Sequence, residues 1–172
     1  MNSIIRSLIA AAATATLHVG IISDVHMNLN YNAYNSANKC METGSTEEIV
    51  ALIGRYFCDP SETLVDFMFS RFKEAFGHVD VILVPGDSIA HKVAAAHEGD
   101  DPDGTSYAAV KANFKATFDK FNEHFPGTII LPTFGNNDGR YKDEAIDEAD
   151  KTDYYSFLYN LWFVELHANR SL

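Results

Sequence analysis

Three short polar clusters hold the residue types that can do chemistry in this 172-residue chain, and each stands just after an apolar run. Asp24-Val25-His26 follows Val19-Gly20-Ile21-Ile22, Gly86-Asp87 follows Val81-Ile82-Leu83-Val84-Pro85, and Gly135-Asn136-Asn137-Asp138 follows Ile129-Ile130-Leu131-Pro132. Asp24 and His26 are two residues apart, so at the end of an extended strand their side chains point the same way and can share one cation. Asp87 brings a carboxylate, whose two oxygens can bridge two metals. Asn136 offers a neutral amide oxygen, which leaves a site more Lewis-acidic. This mixture of oxygen and imidazole donors suits Zn, Mn or Fe rather than a thiolate-selective metal. Two such ions about 3.5–4 Å apart clamp an in-line phosphoryl displacement and generate hydroxide from water near neutral pH. Taken singly, Asp-x-His is common and Gly-Asp or Asn-Asn-Asp-Gly is ordinary turn chemistry. The specific signal is the three together, in order, each at a strand end.

For these side chains to converge, the apolar runs must be neighbouring strands. Runs of four or five aliphatic residues read as buried strands of a parallel sheet, and ligands of open α/β sheets bind at the carboxyl ends of the strands. Between them the pattern turns helical. Ser45-Thr46-Glu47-Glu48 is a capping box, with Ile49, Leu52, Ile53 and Tyr56 behind it at helical spacing. Asp59-Pro60-Ser61 punctuates, and Leu64, Phe67, Met68, Phe72, Ala75 and Phe76 then form an apolar stripe that stops at Gly77. A strand is expected over 79–84. A helix begins near Tyr107 with Val110, Phe114, Phe118, Phe121 and Phe125 inward, and Pro126-Gly127 ends it. A third strand covers 128–131, and a last helix carries Tyr155, Leu158, Tyr159, Trp162 and Leu166. The order β-α-α-β-α-β-α predicts one α/β domain, a parallel sheet with helices on both faces. The aromatic stripes are core packing.

Composition narrows the partners. A net charge of −11 and a pI near 4.9 argue against a nucleic-acid polymer. The acidic runs Asp100-Asp101-Pro102-Asp103 and 143–153 read as solvated loops. No stretch approaches the ~20 apolar residues of a membrane span. Arg6, the apolar 8–13 and Ala13-Thr14-Ala15 read in order as an export signal over 1–15, leaving a domain over 16–172 and a secreted or lysosome-like destination. In that oxidising setting Cys40 and Cys58 are expected to be bridged, a link of about 3 kcal/mol by loop-closure entropy; in a reducing one they are two buried thiols. Asn169-Arg170-Ser171 is a glycosylation sequon.

The clusters together resemble the signature of the calcineurin-like metallophosphoesterases, which runs D-x-H, G-D, then G-N-H-[DE]. Gly86-Asp87-Ser88-Ile89-Ala90-His91 is similar to the G-D-x-x-A-H of the acid sphingomyelinase-like phosphodiesterase branch. The segment from Tyr155 to Trp162 resembles one found downstream of that branch's asparagine motif, and Cys40 and Cys58 fall where the branch has a disulfide. The resemblance runs from about Leu17 to the end of the chain. It implies the layered sheet of that family and hydrolysis of a phosphodiester by hydroxide held between two divalent ions, with Zn expected. Asp24 and His26 would bind the first metal, Asp87 would bridge, and Asn136 would bind the second. His91 would face the phosphate as donor or leaving-group acid; its other reading is an imidazole capping a loop or helix. A small phosphodiester or nucleotide-like compound is the expected substrate.

Two departures qualify that expectation. Asn137 stands where the family has the His of G-N-H-[DE]; it can donate a hydrogen bond to phosphate but cannot deliver a proton. After Asn136 the sequence has one histidine, His167, whereas the family completes its metals with a later His and a G-H-x-H pair. Three strands would also leave a sheet edge and an apolar face bare. The chain therefore reads as the N-terminal half of such a domain, truncated after the third strand and its helix. The competing function is a catalytically inactive or binding-only product.

Overall fold

The apolar runs form a three-stranded parallel sheet in the order β1-β2-β3, with β1 over Val19–Ile21, β2 over Val81–Val84 and β3 over Ile129–Pro132. The computed structural model describes residues 16–34, 50–97 and 99–166. The expected export signal over 1–15, the capping box at 45–48, Cys40, His167 and Asn169 lie outside them. Helix α1 spans Glu62–Phe76, α2 spans Thr105–His124, and α3 spans Lys151–Tyr159 before continuing into a π-helical segment, Asn160–Glu165.

Local chemistry sets the helix ends. Ser61 caps α1 by accepting the Leu64 N–H at 3.1 Å, and Gly77 closes it at φ +65°, its N–H donating to the Lys73 carbonyl. Helix α2 is capped from a distance: the Asp101 carboxylate accepts the N–H groups of Ser106 at 2.8 Å and Tyr107 at 3.1 Å, and Arg140 Nε donates to it at 3.1 Å. Asp101 is buried while Asp100 and Asp103 are exposed, so the acidic run is the solvated loop its composition suggests except at Asp101. Asp150 and Asp153 of the second run are likewise engaged, by Arg140 and by Lys111 with Tyr107.

The expected helix behind the capping box does not form over 50–56. Its polar groups go elsewhere: the Ala51 N–H donates to the Ala33 carbonyl, Tyr31 Oη donates to the Ala51 carbonyl, and Ser61 Oγ donates to the Ile53 carbonyl. Gly54 in mid-run further weakens helix propensity.

One core gathers the inward sheet row, Ile82, Val84 and Ile130, with Val65 and Phe69 of α1, the four α2 residues Val110, Phe114, Phe118 and Phe121, and Tyr154, Leu158, Leu161 and Trp162. The α2 face is the one its periodicity indicates. The α1 face is not: Val65 and Phe69 are buried while Phe67, Met68 and Phe76 are exposed. On this rotation Asp66 turns toward α2, meeting His124 Nε2 at 2.9 Å and Lys120 Nζ at 3.0 Å. The last helix shifts too, burying Tyr154 and Leu161 and exposing Tyr155 and Tyr159. Its wider turn is marked by the Leu166 N–H donating five residues back to Leu161.

The opposite row of the sheet, Val19 and Ile21 on β1 with Ile129 and Leu131 on β3, is exposed. Among the described residues the helices therefore share the core of one face, not both as expected, and the bare apolar face is present. No helix among these residues is long and apolar enough to cross a membrane.

Asp66 also sets an acid limit. Burial raises its carboxyl, but hydrogen bonds from His124 and Lys120 outweigh this and hold it below its ordinary 3.8. A depressed folded pKa gives stability above the unfolded value that disappears as pH falls through the folded one. Asp66→Asn is therefore expected to cost no more than about 1 kcal/mol at neutral pH, as for other half-exposed pairs, and nothing once acid has protonated Asp66. Urea titrations of both proteins across the acid range check this.

Candidate metal centre

Beyond Ile21 the chain runs beside the segment after β2. The Asp24 N–H donates to the Gly86 carbonyl at 3.3 Å, His26 to Asp87 at 3.1 Å and Met27 to Ser88 at 3.2 Å. Val25 and Met27 are buried, which leaves Asp24 and His26 on the outer side. They do not share a direction through strand extension, as the sequence suggests. Asp24 has φ 54° and His26 φ 43°, and Asp87 across from them has φ 53°. These three account for half of the six described non-glycine residues in the left-handed region. Backbone strain of order 1–3 kcal/mol per residue is thus concentrated where the ligand atoms meet.

They do meet. One ligand atom from each of Asp24, His26 and Asp87 lies within 4.8 Å of the others. His26 Nδ1 is 2.9 Å from the Ile89 carbonyl, which only a ring N–H can satisfy, so in the neutral ring Nε2 carries the lone pair. That Nε2 faces Asp87 Oδ2 at 3.8 Å. Holding Nδ1–H on a carbonyl is how a metal-binding imidazole is oriented and its tautomer fixed. The donor set and its orientation could hold a metal cation.

The third cluster is locked onto the second. Asp87 Oδ1 accepts the Asn137 N–H at 3.0 Å, and the two turns touch at their glycines. A Cβ on Gly135 would lie 2.2 Å from Asp87 N and Oδ1, and one on Gly86 would lie 2.6 Å from Gly135 N. Neither position has room for a side chain. Asn136 is exposed on this turn, its Nδ2 donating to Asp143 Oδ1 at 2.6 Å, which leaves its amide oxygen available as a ligand. Asn137 is buried, and its backbone N–H supports Asp87.

Asp138 is a residue that sequence reasoning named only as part of a turn. It is fully buried, and Oδ1 accepts from Ser88 N at 2.8 Å and Ile89 N at 3.2 Å while Oδ2 accepts from Gly135 N at 2.9 Å. One carboxylate thus holds the second and third clusters together. Burial raises its pKa, with the neighbouring Asp87 charge adding to the rise and the three N–H donors opposing it. Its place in the third cluster was the available signal.

His91 lies beside the centre, its ring stacked on His26 with centroids 4.2 Å apart and planes at 24°. Cys58 is disulfide-bonded, and Cys40 lies outside the described residues. A second group, Asp66, Glu123 and His124, has metal-ligand spacing, but Lys120 Nζ already meets the Asp66 oxygen that faces His124. A cation is built into that cluster.

No protein-family model matches the chain. It is similar to a protein of Dictyostelium discoideum named sphingomyelinase phosphodiesterase D, at 24% identity over 172 residues. The match covers 87% of this chain and 35% of the relative, so the chain spans about a third of that protein's length. The likeness is to a phosphodiesterase.

Proposed function

We propose that this chain carries metal-binding and substrate-facing residues of a phosphodiesterase of the acid sphingomyelinase-like, calcineurin-related type. The observation that carries the reading is the convergence of Asp24, His26 and Asp87 at the carboxyl end of a parallel sheet, each in a left-handed conformation. The weak likeness to a named phosphodiesterase supports the substrate class.

In this reading Asp24 and His26 would hold the first ion, Asp87 would be shared between the two, and Asn136 would hold the second. Divalent ions bound there supply Lewis acidity toward a phosphoryl oxygen and make a water nucleophilic. Each protein group then has a separate task. His26 presents Nε2 because the Ile89 carbonyl occupies Nδ1. Asp138 keeps Asp87 and the Asn136 turn at fixed separation through three backbone N–H groups. Asn137 and His91 are assigned to the phosphate side, His91 as the group that donates to the leaving oxygen. Bridging of Cys58 to Cys40 and export from the cell belong to the same reading.

The test is hydrolysis of bis-p-nitrophenyl phosphate with Mn or Zn, by this chain and by the chain joined to the part of the Dictyostelium relative it does not cover. Little turnover is expected from the first, because Asp87 and Asn136 are the only ligands proposed for the second ion. Metal-dependent turnover is expected from the second. It should fall by more than about a hundredfold in Asp24→Ala, the scale on which one preorganised electrostatic partner acts. Turnover that survives this substitution overturns the assignment.

A further inference from the structure

We propose that Asp59 is a positioning residue for the phosphodiester chemistry, fixing the His91 ring so that Nε2 is the nitrogen left to meet a substrate oxygen. This rests on the phosphodiesterase reading above. Asp59 Oδ2 accepts the His91 backbone N–H at 2.8 Å, and Oδ1 lies 2.8 Å from His91 Nδ1. An ionised carboxylate only accepts, so Nδ1 carries a proton; Nε2 holds a lone pair in the neutral ring, and the ring donates to a leaving oxygen only as the imidazolium, whose second proton sits on Nε2 and is replaced there from solvent. Both oxygens of one side chain are thus used on one residue, which fixes the ring's position as well as its tautomer. The ring in turn stacks on that of His26, whose Nδ1 is held by Ile89. Two stacked imidazoles therefore each have Nδ1 occupied and Nε2 unused by the backbone.

The neighbours of Asp59 are anchored on both sides. Cys58 is disulfide-bonded, the Pro60 carbonyl accepts the Asn28 N–H at 2.7 Å, and Ser61 is the N-cap of α1. Because Ser61 already caps that helix, the Asp59 carboxylate is not there for capping. Pinning a side chain through neighbours fixed on both sides is what a preorganised site requires.

The experiment reads the imidazole tautomers of the metal-free 172-residue chain by long-range 1H–15N NMR, above the pH at which the rings are neutral. His91 is assigned by the signals lost in His91→Gln. We expect Nδ1–H at His91 in the unsubstituted chain. In Asp59→Ala the ratio should move at least about tenfold toward Nε2–H, since a charge-assisted hydrogen bond outweighs the tautomer preference. His26, held by Ile89, should stay Nδ1–H and reports that the site is folded. Should Asp59→Ala fail to fold, Asp59→Asn, of the same size, is read in its place and should move in the same direction. An Nε2–H form of His91 in the unsubstituted chain, or an unchanged ratio in the variant, overturns the proposal. In the form that turns over in the assay above, Asp59→Ala should slow a diester with an alkyl leaving group at least about tenfold more than one with p-nitrophenolate, which needs little protonation, because the carboxylate no longer holds the imidazolium that delivers its Nε2 proton. Equal slowing of both reduces Asp59 to a staple and also overturns it. Calorimetric binding of Mn or Zn reports separately on the metal centre: no binding with an intact tautomer shift refutes the phosphodiesterase reading rather than the Asp59–His91 geometry.

Discussion

Asp87→Asn is expected to weaken binding of a single Mn or Zn ion by at least about a hundredfold while leaving the fold in place. The charge removed is the one shared between the clusters, since Asp87 Oδ2 faces His26 Nε2 and Oδ1 holds Asn137. Asparagine is the clean replacement because it tolerates the left-handed backbone that Asp87 adopts at φ 53° and can still accept from Asn137. Alanine would abolish binding too, but at that φ it adds roughly 1 kcal/mol of backbone strain and blurs the comparison. Two measurements check this. Calorimetric titration gives the affinity directly. Thermal unfolding gives it by linkage, since an ion at about 100 times its Kd stabilises the native chain by about 2.7 kcal/mol, and that shift should vanish in the variant. Unaltered affinity in Asp87→Asn removes this residue from the site and with it the bridging role.

Asp138→Ala is expected to be among the most destabilising single changes in the chain, at about 3 kcal/mol or more, because it strands three N–H donors, two of them buried and one half-buried, and a buried donor costs about 1–3 kcal/mol when unsatisfied. Those donors are Ser88, Ile89 and Gly135, so the loss falls on the two turns that carry Asp87 and Asn136. Asp138→Asn should cost less, about 2 kcal/mol. Its one oxygen satisfies donors on one side, and its NH2 is forced against a backbone N–H on the other. Urea unfolding measures both, with a lowered midpoint and an unchanged slope. An Asp138→Ala variant within about 0.5 kcal/mol of the parent would show that the two turns hold together by other means. Metal affinity should decline alongside stability, because Asp87 and Asn136 would no longer keep their separation.

The chain's local pattern is enough to place the strands, to make them parallel, to turn one face of α2 inward, and to put Asp24, His26, Asp87 and Asn136 at strand ends. All of that is local. An aliphatic run, a 3.6-residue period or a capping serine is written in a dozen consecutive residues. It also led to a helix that does not form over 50–56, where Gly54 interrupts the pattern and the backbone bonds instead to 31–33 and Ser61. The features that local pattern leaves open have partners far apart in the chain. Helix α1 is apolar around much of its circumference, so periodicity leaves its rotation open; on the one adopted, Asp66 meets Lys120 and His124 across 54 and 58 residues. The π-helical turn that buries Leu161 in place of Tyr159 is likewise set by the core it packs against. Asp59 reads as turn chemistry beside Pro60 and is recognised as more only when it meets His91, 32 residues on. The left-handed backbone of Asp24, His26 and Asp87 is not fixed by local sequence, because Asp and His enter that region more readily than most residues but still seldom; it is imposed where loops from two strands hydrogen-bond together and leave their ligand atoms one place to converge.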